Sequence, residues 1–414
     1  MKRYATPRTK PTRPKEESPS QKILNTNPPP PSNRAALALI CSAVMLLYSL
    51  YLGSVGILLP ALGKTFGLGA EIQGRLFPAS FIGFVAAVLV CGYLSDRKGR
   101  KAVLLFGCAL YSFGLILFGL APTYPIALFA SFAVGAGSGV MEVVASALAA
   151  DLYPEKRTLF LNAIQVVFGV GAALGPFISR GLMAQGTDWR ALYLGLAAFN
   201  SLLFVCLLFY KVPRSAASES LHISALVSVL HKPAFGALCL MQALYVGAEV
   251  SFFSWMPTYF DNHLIEGAKW AGLVATVFWV AMTTGRLLNC WLIHHVRLMR
   301  LTFASALGGA IFSALALSTR NPLPVMGCVA IVGLCYSGIF SLVLSEAGDR
   351  FTSVAGTAFG GVMAMGGLGG AILPWVVGFL STTKMGWNGA LMTVPAVLIV
   401  LAILAKTLER KPAQ

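Results

Sequence analysis

The sequence predicts an all-α membrane protein in which twelve transmembrane helices form two halves of six helices each. An apolar composition, apolar runs of membrane-spanning length and an internal repeat predict it. Of the 414 residues, 57% are hydrophobic and 11% are charged, and the mean hydropathy is +0.76. Soluble domains carry about 25% charged residues. Because one spanning helix needs about 20 apolar residues, this composition accommodates about a dozen spans and excludes an ordinary soluble enzyme.

The chain begins with a segment of different composition. Residues 1–34 are rich in Pro, Ser, Thr, Lys and Arg and contain few apolar side chains, so we expect a disordered basic tail on the cytoplasmic side. The apolar run that follows is longer than that of a secretory signal peptide, and no small-residue cleavage pattern comes after it. The segment is therefore interpreted as a solvated tail.

Twelve apolar runs follow the tail. The longest polar segment between them, residues 211–233, divides the chain into an N-terminal half, 35–210, and a C-terminal half, 234–408, before a short cytoplasmic tail, 409–414. The predicted spans are 35–60, 72–94, 102–121, 125–149, 159–182, 189–210, 234–260, 269–292, 300–318, 323–346, 354–380 and 387–408.

The distribution of basic residues predicts the orientation. With the N-terminus inside, 23 of the 31 Lys and Arg residues fall in the tails and inner loops, and 7 fall in outer loops. Cytoplasmic loops are enriched in Lys and Arg, so we expect a multi-pass protein of the cell membrane with both termini and the 211–233 loop in the cytoplasm. The net charge of +16 then indicates a lipid bilayer rather than nucleic acid as the partner. We expect a monomer.

The two predicted halves resemble each other in sequence. Residues 169–176 match residues 367–374 at an offset of 198 positions, and Asp151 and Asp349 have the same offset. Repeated six-helix units are typical of transporters whose halves enclose a central pathway. The repeat therefore predicts that the functional site lies between the halves.

The most specific motif, G-x-L-x-D-R-x-G-R-K, connects the second and third predicted spans. Its defining residues are Gly92, Asp96, Arg97, Gly99 and Arg100. Glycine permits close helix approach and tight turns, an aspartate is stabilised at the N-terminus of a helix, and the basic side chains suit lipid headgroups. Without further context, the same segment could be a basic hairpin with no special role.

This motif, together with the organisation of six and six helices, resembles the signature loop of the major facilitator superfamily. The resemblance covers the chain after residue 34. It implies a secondary transporter that works by alternating access, without enzymatic activity. It also implies that Gly92, Asp96, Arg97, Gly99 and Arg100 form a gating loop and do not bind the solute.

Three charged residues lie well inside predicted spans: Glu142, Glu249 and Arg286. A charge at the centre of a spanning helix costs about 2.5–3.5 kcal/mol on insertion scales, so such residues usually face a polar cavity. We expect the two acids to bind solute or protons. The alternatives are a structural polar network for the acids and, for Arg286, a side chain that extends to the interface.

Uncharged polar and aromatic residues at similar depth complete the predicted binding site: Asn162, Gln165, Gln242, Tyr245 and Trp279. Amide hydrogen bonds and ring stacking suit a polar solute of the size of a sugar. Each of these residues alone is also typical of packing or hydrogen bonding between helices.

The sequence around these residues looks like that of the fucose/hexose-type proton symporter branch of the superfamily. That branch has a glutamate in the fourth span, matched by Glu142, an asparagine in the fifth, matched by Asn162, and a segment similar to 245–249 in the seventh. Its fucose symporter also has an acidic residue in the first span, where this chain has none. Coupling through such an acid is excluded, and the assignment to sugars is weakened.

Other functions remain open. In the fifth span, Gly171, Gly175 and Pro176 fit the signature of drug–proton antiporters, whereas Ser179 and Arg180 replace its final glycines. No nucleotide-binding P-loop, metal-ligand cluster or C-x-x-C pair occurs in the sequence, so we expect no cofactor and no metal. The sequence predicts a proton-coupled transporter of a small polar organic solute such as a sugar. The alternatives are a drug or metabolite exporter and a non-transporting membrane sensor.

Overall fold

The computed structural model describes residues 31–153, 157–212, 231–292 and 295–410. The predicted basic tail up to residue 30 and most of the 211–233 loop lie outside these ranges. Within them, the chain forms α-helices joined by short connections and contains no β-strand. The helices are α1 (Pro31–Phe66), α2 (Ala70–Gly74), α3 (Leu76–Lys98), α4 (Arg100–Gly119), α5 (Tyr124–Leu152), α6 (Arg157–Ala184), α7 (Arg190–Phe209), α8 (Pro233–His263), α9 (Ala268–Leu292), α10 (Leu298–Ala316), α11 (Pro322–Tyr336), α12 (Ile339–Arg350), α13 (Ala355–Ser381), α14 (Gly386–Leu391) and α15 (Thr393–Arg410).

These helices build twelve spans in the described part of the chain, which confirms the predicted fold class. Three spans are made of two helices each: α2 with α3, α11 with α12, and α14 with α15. The first and last described residues, Pro31 and Arg410, lie on one side of the bundle, which we call the terminal face. The other side, where α1 ends and α8 ends, is called the opposite face.

The first span is longer than predicted. It was expected over 35–60, but α1 extends to Phe66 and passes through Pro60 without ending. Apolar composition marks only the part of a helix that lies in lipid, whereas backbone hydrogen bonding continues the helix beyond it. The tenth span is divided by a two-residue turn at Ser337 and Gly338, where the Ser337 hydroxyl donates to the carbonyl of Leu334.

Each half is built around one close helix pair. In the N-terminal half α1 packs on α6, and in the C-terminal half α8 packs on α13. A Cβ atom on Gly171 of α6 would overlap the Ser49 hydroxyl of α1, and a Cβ atom on Gly369 of α13 would overlap the backbone oxygen of Ala243 of α8. Gly171 and Gly369 are 198 residues apart, so the sequence repeat corresponds to a repeated helix contact.

The contacts between the halves follow the same repeat. A Cβ atom on Gly169 of α6 would overlap Thr283 of α9, and a Cβ atom on Gly367 of α13 would overlap Val85 of α3. Gly169 and Gly367 are 198 residues apart, and so are Val85 and Thr283. In each half, the glycine at this repeat position contacts the equivalent residue of the other half. A two-fold relation between the halves requires this arrangement.

The halves also contact each other towards the opposite face. A Cβ atom on Gly56 of α1 would lie 2.6 Å from the backbone oxygen of Ser254 of α8. Close to the end of α6, Nη2 of Arg180 donates to the backbone oxygen of Lys269 of α9 at 2.7 Å. These contacts join the two halves on the opposite-face side of the bundle centre.

The glycine contact in the C-terminal half leads to a stability prediction. We expect Gly369→Ala to lower the free energy of unfolding by about 1–3 kcal/mol, because the added methyl group meets backbone rather than a flexible side chain. Thermal denaturation of the detergent-purified protein measures this. Gly195→Ala on α7 is the matched control, since nothing lies within 4 Å of its Cβ position. Equal melting temperatures for the two variants would contradict the close α8–α13 contact.

Candidate functional site

A cavity lies between the two halves at the depth of the three intramembrane charges. About 770 Å³ of empty space lies within its lining, and this volume includes open solvent at the mouth. On α6, the lining residue nearest the terminal face is Gln165, whose side chain is exposed. The contacts described above close the halves towards the opposite face.

Glu142 of α5, Glu249 of α8 and Arg286 of α9 all line this cavity, and each is only partly buried. No ion pair within 4 Å joins Arg286 to either acid in the described part of the chain. Nη1 of Arg286 instead donates to the backbone oxygen of Gln165 at 3.1 Å, and its guanidinium lies 5.7 Å from the ring centre of Phe168. The cation is hydrogen-bonded to a neutral group at the cavity wall, and both acids lie within range of its charge.

Each acid is next to a tyrosine. The hydroxyl of Tyr48 of α1 lies within hydrogen-bonding reach of the Glu142 carboxyl group. The hydroxyl of Tyr245, one helical turn before Glu249, lies within reach of that carboxyl group. It also donates to the backbone oxygen of Tyr336 of α11 at 3.1 Å. The hydroxyl hydrogen of Tyr245 is thus already donated to a backbone oxygen, so the two tyrosines differ in whether they can donate to the neighbouring carboxyl group.

Aromatic rings line the same side of the cavity. The ring of Phe168 lies 5.6 Å from that of Tyr48 and 5.9 Å from that of Trp279, and the ring of Phe253 lies 5.1 Å from Trp279. Trp279 is 1% exposed, and its indole N–H has no acceptor among the described residues. We call the side formed by Tyr48, Glu142, Gln165, Phe168, Tyr245, Glu249, Trp279 and Arg286 the polar wall.

The facing side is apolar and comes from α3, α12 and α13. It includes Phe81, Phe84, Phe340 and Met363, which we call the apolar wall. Three of these residues occupy repeat positions equivalent to polar-wall residues, at an offset of 198: Phe81 with Trp279, Phe340 with Glu142, and Met363 with Gln165. Equivalent positions of the two halves therefore line the cavity, but they carry different side chains on the polar wall and on the apolar wall.

Not every predicted binding residue lies at this cavity. Gln242 is fully buried and packs against Gly366 of α13, one layer behind the lining, and neither of its amide atoms has a hydrogen-bond partner among the described residues. Asn162 belongs to α6, and Gly92 and Asp96 belong to α3, but their side chains lie outside the described part of the structure.

The remaining residues of the predicted gating loop lie on the terminal face. Gly99 has a φ of +83° and makes the single-residue turn between α3 and α4, which a residue with a Cβ atom adopts only with strain. Arg97 is exposed. Arg100 is buried, and its Nη2 lies 2.7 Å from Oδ2 of Asp151 at the end of α5. The loop is thus attached to α5 and is remote from the cavity.

Sequence reasoning missed the rings of Tyr48, Phe168 and Phe253. Their signal was helical spacing, since Phe168 follows Gln165 by three positions and Phe253 follows Glu249 by four, which places each pair on one helix face. In an apolar helix, however, most rings face lipid or other helices. The spacing alone could not distinguish these rings from the others.

The sequence profile of the Major Facilitator Superfamily matches residues 39–360. The chain belongs to this superfamily. The match confirms the family that the loop motif indicated, and with it a membrane transporter rather than an enzyme.

The chain is similar in sequence to three related proteins whose names indicate their roles. The chain is 28% identical to the 4-hydroxybenzoate transporter PcaK of Pseudomonas aeruginosa, over 94% of this chain and 95% of that protein. It is 25% identical to the cis,cis-muconate transport protein of Acinetobacter baylyi, over 77% of this chain and 80% of that one. It is 27% identical to the multidrug resistance protein MdtL of Escherichia coli O139:H28, over 77% and 83%.

Among solved structures, the chain is similar to the Escherichia coli fucose:proton symporter. The TM-score is 0.65 at 20% identity, with 91% of this chain and 99% of that chain covered. At this identity the likeness shows the fold alone. The expectation of a sugar therefore receives no support from the relatives reported above, two of which are transporters of organic acids.

Proposed function

We propose that this protein transports a planar aromatic or conjugated organic carboxylate by alternating access, together with a proton. The observation that carries the proposal is Arg286, a guanidinium at the cavity wall with no carboxylate of the described chain within 4 Å. A guanidinium binds a carboxylate through two parallel hydrogen bonds. 4-Hydroxybenzoate and cis,cis-muconate, the solutes for which two of the relatives are named, both carry carboxylate groups.

The shape of the cavity supports a flat, partly apolar solute. A carboxylate bound at Arg286 places the rest of the molecule between the rings of Phe168 and Trp279 on the polar wall and those of Phe81 and Phe340 on the apolar wall. Aromatic rings gain about 0.5–1.5 kcal/mol from such contacts beyond the area they bury. A sugar would leave its hydroxyl groups against the apolar wall without hydrogen-bond partners, which is costly.

The balance of charge in the cavity supports proton coupling. With both acids ionised, Glu142, Glu249 and Arg286 together carry one negative charge, and a bound carboxylate adds a second. Uncompensated charge is expensive inside a membrane, so binding of the anion favours proton uptake by one of the acids. Solute and proton then occupy the cavity together and cross the membrane in the same direction.

Hydrogen bonding points to Glu249 as the acid that takes up the proton. The Tyr245 hydroxyl donates to the backbone oxygen of Tyr336, so towards Glu249 it offers acceptor lone pairs, and a protonated carboxyl group is the complementary donor. Among the described residues, the Tyr48 hydroxyl donates to no backbone oxygen, and it can donate to an ionised Glu142. In this assignment Glu142 stays charged and holds Tyr48 in place.

We infer from the positive-inside distribution of Lys and Arg that the terminal face is cytoplasmic. The contacts at Gly56 and Arg180 then close the pathway on the outer side, so the structure corresponds to an inward-facing state. Transport requires these contacts to open while the terminal face closes.

A panel of ligands tests the solute class. We expect 4-hydroxybenzoate and benzoate to raise the melting temperature of the purified protein, since a ligand of the native state stabilises it by mass action. L-fucose is the control and should leave the melting temperature unchanged. Stabilisation by fucose and not by either carboxylate would refute the proposal.

Export of a lipophilic cation is a second candidate. The observation that favours it is the pair of acids beside an apolar wall, together with the multidrug resistance relative. The same panel decides, with tetraphenylphosphonium as the probe. Its binding in place of the carboxylates would favour the exporter.

The gating loop gives a separate prediction. We expect Asp96→Asn to reduce the transport rate at least about tenfold and to leave the affinity for 4-hydroxybenzoate within about twofold, because the loop is remote from the cavity. Lys98→Gln is the matched control, since Lys98 is exposed and occupies the unspecified position of the motif. Transport by Asp96→Asn at the rate of the control, or loss of its affinity, would contradict a gating role.

A further inference from the structure

A second chamber lies beyond the central cavity, nearer the opposite face. Its lining bounds about 440 Å³ of empty space, including open solvent, of which about 30 Å³ admits the centre of a water molecule. Along α1 it extends from Tyr51 to Leu62, whereas the cavity contacts Tyr48 and Leu52. Along α8 it reaches Ser254, which lies beyond Glu249. The chamber therefore occupies the side of the pathway that the contacts between the halves close.

Four apolar side chains separate this chamber from the cavity, because they line both spaces: Leu52, Phe81, Val250 and Phe253. We call them the partition. Leu52 and Val250 are 198 residues apart, so the two halves contribute equivalent positions to it. A solute that crosses the protein must pass this point.

The chamber differs chemically from the cavity. Among the described residues that line it, none is charged, and the polar side chains are the hydroxyl-bearing Tyr51, Ser80, Ser131, Tyr193 and Ser254. The Tyr51 hydroxyl lies within hydrogen-bonding reach of Ser80 and Ser131. A carboxylate would have no counter-charge in this space, whereas a neutral hydroxyl group would find both donors and acceptors.

Ser254 gives the most specific indication of a ligand. It is fully buried, and its hydroxyl has no hydrogen-bond partner among the described residues. Buried serines in such helices usually donate to the carbonyl four residues earlier, as Ser251 on the same helix does to Gly247 at 2.7 Å. An unpaired hydroxyl in a membrane is unfavourable, so its position at the chamber wall points to a partner that arrives with the solute.

We propose that this chamber binds the hydroxylated end of the aromatic ring and thereby makes the protein prefer hydroxylated over unsubstituted aromatic carboxylates. The inference rests on the proposed function. Ser254 lies about 7.5 Å further along α8 than Glu249, from a rise of about 1.5 Å per residue, whereas Arg286, the proposed anchor of the carboxylate, lines the cavity and not the chamber. The carboxylate at the polar wall, the ring between the partition side chains and the hydroxyl in the chamber thus follow one another along the pathway.

The test compares the affinities of the purified protein for 4-hydroxybenzoate and benzoate by titration calorimetry. We expect the native protein to prefer 4-hydroxybenzoate. Ser254→Ala and Tyr51→Phe should each reduce the ratio of the two affinities about three- to tenfold, the usual worth of one or two neutral hydrogen bonds. The affinity for benzoate should stay unchanged in both variants.

Ser251→Ala is the matched control, because it removes a buried hydroxyl that is already bonded within α8. It should retain the native ratio. An unchanged ratio in Ser254→Ala and Tyr51→Phe, or no preference in the native protein, would overturn the chamber's role while leaving carboxylate transport intact. Tyr51→Phe keeps the ring and carries the test alone if Ser254→Ala does not fold. Failure of the native protein to bind either acid would instead refute the proposed function itself.

Discussion

Arg286→Ala is expected to weaken the binding of 4-hydroxybenzoate by about a hundredfold or more. Removing one partner of a desolvated, hydrogen-bonded charge pair costs about 2–5 kcal/mol, and about 2.7 kcal/mol corresponds to a hundredfold change in affinity. Arg286→Lys should lose less, because it keeps the charge but not the planar pair of donors that matches a carboxylate. Titration calorimetry on the purified variants measures both effects.

Arg297→Ala is the matched control for the loss of a positive charge. Arg297 precedes α10 on the terminal face and is exposed, away from the cavity. Its replacement should leave the affinity within about twofold of the native value. If Arg286→Ala also kept native affinity and only lowered the melting temperature, the guanidinium would serve to hold α9 against α6 and would not bind solute.

Glu249→Gln is expected to abolish accumulation of the solute against a gradient. The amide keeps the size of the side chain and part of its hydrogen bonding but cannot take up a proton. Glu249→Gln should still exchange labelled for unlabelled solute, and Glu142→Gln, which replaces the acid assigned to stay charged, should retain accumulation. Uptake and counterflow in proteoliposomes distinguish the two activities.

The same variants carry a prediction about pH. If one proton is taken up with each anion, the dissociation constant of the native protein rises with pH, up to about tenfold per unit where the proton must be acquired on binding. Glu249→Gln should flatten this dependence. Glu71→Gln is the control, since Glu71 forms an exposed pair with Arg75 at the opposite face. Accumulation driven by a proton gradient in both cavity variants would exclude these acids from coupling.

The spans and the three intramembrane charges could be predicted from the sequence because each follows from a large energy. About 20 apolar residues are needed to cross the bilayer, and a charge inside it needs a polar surrounding. Glu142, Glu249 and Arg286 are separated by more than 30 residues in sequence, yet the same constraint applies to each of them. The structure places all three at one cavity.

The rest of the candidate site depends on how the helices rotate and pack against one another, which contacts between distant parts of the sequence determine. In the sequence, Phe168 and Phe253 cannot be distinguished from lipid-facing rings. In the structure, Trp279 of α9 packs against both rings and encloses that face of α6 and α8. Gln242 has the composition of a binding residue but is turned towards Gly366, because helix rotation is set by packing. The two walls differ only in the side chains at repeat-equivalent positions, and the repeat in the sequence does not indicate which of its positions line the cavity.

The most direct test of carboxylate–proton transport is uptake of labelled 4-hydroxybenzoate into proteoliposomes that contain the native protein. With an interior more alkaline than the medium, we expect the internal concentration to exceed the external one. A protonophore should return the internal concentration to the external level. If the internal concentration is the same with and without the pH gradient, coupling is contradicted. If folded, reconstituted protein takes up no 4-hydroxybenzoate under either condition, the assignment of the solute is contradicted as well.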